Sequence, residues 1–158
     1  MTEATPRWPL AETCLVVILC WLALSWPWLS GAVTIPWDAK AHFQPQLQAL
    51  ATALHKGQSP FWTPFVFAGH PQVADPQSLV FSPPFLALAA LNPAPGFAAM
   101  DGLLLGLLLA GSLCLVLMFR DKGWHPAGAT VAALAFAFGA AAAWRIQHVG
   151  QVMSLAWL

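Results

Sequence analysis

The sequence predicts an all-α integral membrane protein with about three transmembrane helices, the start of a fourth, and a long outer loop carrying interfacial helices. Three observations predict it. Hydrophobic residues make up 59% of the chain and charged residues 8%, whereas a soluble domain carries about a quarter charged. The apolar residues gather into runs close to the roughly 20 that cross a hydrocarbon core of about 30 Å. No charge interrupts those runs, and the alternating segments of about ten residues that mark an outer-membrane barrel are missing. The whole of residues 1–158 reads as one membrane domain.

The first span covers about residues 13–30. Ser30-Gly31-Ala32 after a weakly basic start resembles a signal-peptide end, but the apolar run is longer than the usual h-region and contains Trp21, Trp26 and Trp28. A retained membrane helix is expected. The second span covers about 100–119 and the third 126–144. A fourth apolar stretch starts at about 151 and has too few residues to cross. The expectation is therefore a fragment, the N-terminal part of a larger membrane protein whose missing C-terminal helices would be its partner. Alone it is expected to be inactive.

Basic residues in short flanks set orientation. Arg7 precedes the first span. Arg120 and Lys122 lie in the tight turn between the second and third. Two crossings separate these positions, so they share a side, assigned to the cytoplasm. Lys40, Lys56 and Arg145 fall on the other side, two of them in a loop long enough to weigh less in the rule.

That outer loop, about 31–95, is rich in Trp, Phe and Pro. Phe43, Leu47, Leu50 and Leu54 recur on one helical face. Pro45 is tolerable only near a helix start, which places the start around Phe43. Gly57 supplies a stop after His55 and Lys56. Such a helix suits either the membrane interface or packing on its own protein. Over 59–76, Pro60, Pro64, Pro71 and Pro76 forbid a long helix and predict extended turns, with Gly69 at a positive φ. Phe61, Trp62, Phe65 and Phe67 are expected to anchor this piece on the helices. Pro83 and Pro84 open a short apolar helix over 85–91, closed by Asn92-Pro93.

Net formal charge is zero, which argues against nucleic-acid binding. Cys14, Cys20 and Cys114 lie within predicted spans with no CxxC pair and read as small apolar fillers. His42, His55, His70, His125 and His148 show no metal-ligand spacing. Phosphate-loop, GxGxxG and HExxH patterns are missing, so neither metal nor cofactor is expected.

Charged groups beside a membrane core are costly and tend to have a purpose. Asp38 follows the first span within Ile35-Pro36-Trp37-Asp38. Two readings stay open: a helix cap, or a general base desolvated against Trp37. His70, Asp75 and Gln77 place polar groups on one loop, where a polar substrate group would be held, although Asp75 before Pro76 is also an ordinary turn former. Asp101 starts the second span and fits a cap or a favourable N-terminal charge. Arg145 and His148 end the third span on the outer side. Arg145 fits the helix dipole there, or contacts a phosphate with His148 as a polar neighbour.

The run Gly57-Gln58-Ser59-Pro60-Phe61-Trp62-Thr63-Pro64, then Phe67-Ala68-Gly69-His70-Pro71 and Asp75-Pro76-Gln77, resembles the first outer loop of the YfhO-type bacterial membrane proteins. Arg145-Ile146-Gln147-His148 ahead of Ala156-Trp157 does so too. Those proteins resemble the GT-C class of glycosyltransferases. The resemblance implies a multi-helix enzyme of the bacterial cytoplasmic membrane. It would move sugar from a polyprenyl-phosphate donor, a lipid-linked partner, to an extracytoplasmic acceptor. It implies Asp38 as the acidic residue of the first outer loop, acting as base in an inverting displacement. Asp38 has no acidic neighbour, so the paired-carboxylate pattern is missing. The alternative is a non-catalytic multi-pass protein for assembly or transport.

Overall fold

A computed structural model of the chain describes residues 8–155; Arg7 and the pair Ala156-Trp157 lie outside them. The chain is an all-α membrane protein. Three of its helical stretches, Leu10–Leu29, Phe97–Asp121 and Pro126–Arg145, are long and apolar enough to cross a bilayer.

Helix α1 runs Leu10–Leu29. A π-helical turn, Ala39–Phe43, leads into α2, Gln44–His55. Strands β1, Trp62–Thr63, and β2, His70–Pro71, pair antiparallel, with Trp62 opposite Pro71 and Thr63 opposite His70. Helix α3 is Pro83–Leu91 and α4 is Phe97–Asp121. The third membrane stretch is interrupted: α5, Pro126–Phe138, and α6, Ala140–Arg145, meet at Gly139. Helix α7 is Val149–Leu155.

The chain forms two compact units. One holds α1 as far as Pro27, Leu104–Ile146 and the residues from Gln151 on; the other holds Trp28–Leu103 and Gln147–Gly150. In the first, Val17, Val116, Ala129 and Ala133 are fully buried together. Ala129, Ala133 and Ala137 recur every fourth residue on α5 and are all buried. Small side chains of this kind let helix backbones approach closely, the usual basis of packing in lipid. Ser112 Oγ donates to Ala133 O across α4 and α5 at 2.8 Å, and Trp21 Nε1 donates to Leu105 O at 3.2 Å. Leu15, Leu19, Leu24 and Val131 stay exposed, as lipid-facing side chains should.

The third span expected from hydropathy, 126–144, is present and is interrupted at Gly139. Its backbone is extended there (ψ 168°), and a Cβ at this position would overlap Ala135 O. Hydropathy counts apolar side chains and is blind to a backbone break among alanines.

The second unit is built differently. Phe43, Leu47 and Leu50 of the α2 stripe are buried, and α2 packs on α3. Leu54, expected on the same face, is exposed at the helix end. Thus α2 is packed on its own protein, one of the two settings its stripe allowed. Gln44 Nε2 donates to Pro95 O at 2.5 Å, and Gln48 Nε2 reaches the same carbonyl at 3.3 Å. His55 Nε2 lies 3.1 Å from Ala89 O of α3. Pro95 lies just before α4, and two glutamine amides supply donors to its carbonyl.

The reading of Asp101 as a cap is also corrected. Helix α4 starts at Phe97, which leaves Asp101 inside its second turn and buried. Its Oδ2 accepts the Ile35 backbone N–H at 3.2 Å, fixing the stretch that leads to Asp38. The distance in sequence between Ile35 and Asp101 hid this link from local pattern reading.

Candidate functional site

Asp38 stands at the entry to the π-helical turn, directly after Trp37, whose φ is +58°. A bulky residue in the left-handed region is an outlier, and such strain collects where surroundings over-determine a conformation. The capping expectation is not met: the Asp38 side chain makes no cap hydrogen bond. It faces His148 instead, with Oδ2 3.1 Å from Nδ1. Nor does it lie beneath an apolar wall, because its side chain is 55% exposed and Trp37 is exposed as well. His148 reaches Asp38 because residues 147–150 belong to the same compact unit as the loop. Val149 is fully buried beside it, which holds this short segment in place.

A second polar group forms along the loop. His70 Nε2 lies 3.6 Å from Asp75 Oδ2. Asp75 Oδ1 accepts the Gln77 backbone N–H at 2.8 Å, the self-bonding turn that Asp favours. His70 and Asp75 line a cavity of about 530 Å³ between α2 and the β1–β2 hairpin. Gln77 is exposed and is not among the cavity's lining residues; its backbone N–H is its link to Asp75. Gly69 has the expected positive φ, +117°. Its reason is twofold, since a Cβ there would also overlap the Trp62 ring.

The aromatic residues do not anchor the hairpin as expected. Phe65 is 83% exposed and Phe67 is 90% exposed. Both sit in the loop joining the two strands, where turn geometry sends side chains outward. Trp62 rests on Gly69, and Phe61 stacks on Phe81 with ring centroids 5.8 Å apart.

Arg145 ends α6 exposed to its surroundings and belongs to the other compact unit. Among the described residues no group of three or more His, Cys, Asp or Glu side chains is placed to hold a metal ion. The residues that sequence reasoning missed are Trp62 as a cavity wall, Gln46 and Gln48 opposite it, and Asp101 as the brace of the Asp38 loop. The amphipathic pattern of α2 did carry a trace of the second of these, because glutamines fill its other face.

No protein family, no curated protein and no solved structure matches the chain.

Proposed function

We propose that this chain supplies the acceptor-activating outer loop of a GT-C-like glycosyltransferase in a bacterial cytoplasmic membrane. The donor is a polyprenyl-phosphate sugar and the acceptor carries a hydroxyl group outside the cytoplasm. The observation that carries the reading is the Asp38–His148 pair. An exposed carboxylate held by an imidazole, directly after a membrane helix, has the parts of a positioned general base.

The chemistry follows from those parts. The acceptor oxygen attacks the anomeric carbon of the donor and forms the new glycosidic bond. The bond from that carbon to the phosphate oxygen breaks, and its electron pair leaves with the phosphate. The acceptor's proton passes to Asp38. His148, donating from Nδ1 to Oδ2, positions the carboxylate and so moves from substrate contact to positioning residue. His70, Asp75 and Gln77 would hold the sugar or acceptor.

The test is transfer of a labelled lipid-linked sugar in membranes from cells making the intact protein. Asp38→Asn keeps the shape and removes the proton acceptor, so transfer should fall about 10²- to 10⁴-fold. His148→Gln should cost up to about 10²-fold, the scale of a misplaced catalytic group. Full activity of Asp38→Asn would reject the catalytic role and leave Asp38 a structural residue; no transfer by the intact unsubstituted protein would leave a non-catalytic assembly or transport protein.

A further inference from the structure

We propose that the cavity between α2 and the β1–β2 hairpin binds a neutral pyranose ring stacked on Trp62. The inference deepens the transferase reading by making the acceptor a saccharide, and it can be tested without turnover.

The volume, about 530 Å³, lies within the roughly 300–1,000 Å³ of small-molecule sites. Its walls combine two chemistries. Gln46 and Gln48 line it from α2, and Trp62, His70, Gln72 and Asp75 line it from the hairpin side. A pyranose matches that combination, with hydroxyls around its rim and C–H groups on its faces. Trp62 offers a large flat surface and is half exposed. Its ring packs against Gly69, where any side chain would collide. A platform packed on one side costs less entropy when a ligand settles on the other.

The polar groups select against other occupants. The lining carries one ammonium, Lys56, and one carboxylate, Asp75, which already faces His70. That is a poor cradle for a phosphate, which favours clustered arginines or lysines. Leu50, Pro60, Pro64, Val66 and Val80 make much of the wall apolar, so an isoprenyl chain is the rival occupant; it would leave the amides and imidazoles that it covers without hydrogen bonds, which is costly. Gln46 adds a specific demand. Its Nε2 meets His42 Nε2 at 3.2 Å, while its Oε1 is buried without a partner among the described residues. The terminal amide torsion is soft, so a small turn offers that oxygen to a ligand hydroxyl.

The experiment uses the full chain purified in detergent and saturation-transfer-difference NMR. The probes are methyl β-D-glucopyranoside, N-acetylglucosamine and farnesyl phosphate. The glycosides should receive saturation at their ring protons, with the strongest effect on one face. Trp62→Ala should weaken binding about tenfold, as loss of an aromatic partner does. Trp62→Phe, which keeps a smaller ring, should retain part of it and carries the test if the alanine variant misfolds. No glycoside signal, a signal indifferent to both Trp62 variants, or a cavity taken by farnesyl phosphate alone would overturn the proposal. Glycoside binding in a protein with no transfer activity would sink the transferase and leave the saccharide site. Transfer without glycoside binding in this cavity would do the reverse.

Discussion

The two compact units solve the same folding problem with opposite means. The helical unit leaves most of α1, α4 and α5 outside any protein core: between 22% and 28% of each candidate span is buried. Its side chains are apolar because the surrounding lipid is, and few contacts fix their positions. The loop unit relies more on polar bonds. It buries Gln44, Gln72, Ser78 and Asp101 and ties distant segments through side-chain bonds to backbone, as at Pro95 and Ile35. Solvent dictates composition in one unit, and hydrogen-bond demand dictates individual residues in the other. A site for chemistry belongs in the second kind, because specific polar bonds can hold a group in one place.

The most decisive way to break this comparison is topological. If the loop unit is exported, a cysteine replacing Gln58 should react fully with an impermeant thiol reagent in intact cells. A cysteine replacing Gly123 should not react. The opposite labelling would reverse the orientation and remove the outer-face site with it.

The next effect is large but local. Phe85 is fully buried in the loop unit, and Phe85→Ala should cost about 3–5 kcal/mol of that unit's stability. Thermal unfolding and limited proteolysis in detergent would read it. Leu19→Ala on exposed α1 should change little by the same measures. Equal losses at both positions would dissolve the distinction between a packed unit and a lipid-facing one.

The smallest effect sharpens the comparison. Ser112→Ala removes the bond to Ala133 O, and one such bond between membrane helices is worth about 0.6 kcal/mol. Gln44→Leu strips one amide from the buried Pro95 carbonyl, and an impaired buried acceptor costs about 1–3 kcal/mol. Chemical unfolding of both variants should rank Gln44→Leu as the more damaging. A reversed order would mean that polar bonds matter more among the spans than in the loop.

How much was legible in the sequence follows the same division. The spans were, because hydropathy is a sum over many residues and tolerates error at any one. Their ends were less so: α1 starts at Leu10 and α4 at Phe97, both before the most apolar stretch begins. Helices α2 and α3 were legible because Phe43, Leu47 and Leu50 recur on one face and Pro83-Pro84 marks a start. The strand pair was not, since two residues per strand leave no period to detect. The sequence singled out Asp38, His148, His70, Asp75, Gln77 and Arg145 by residue type and position along the chain. What the structure adds is which of them meet, as Asp38 does with His148 and His70 with Asp75. No spacing rule could have paired Asp38 with His148, because the intervening chain crosses two spans and a loop. The link depends on where the short segment after α6 comes to rest.

The break at Gly139 has a consequence for the bilayer itself. Helix α5 has 13 residues, which at 1.5 Å each rise only about 20 Å, short of a hydrocarbon core of about 30 Å. Beyond the break, α6 adds six residues, about 9 Å more. An interruption at that depth exposes backbone that acyl tails cannot solvate, so protein or water has to cover it.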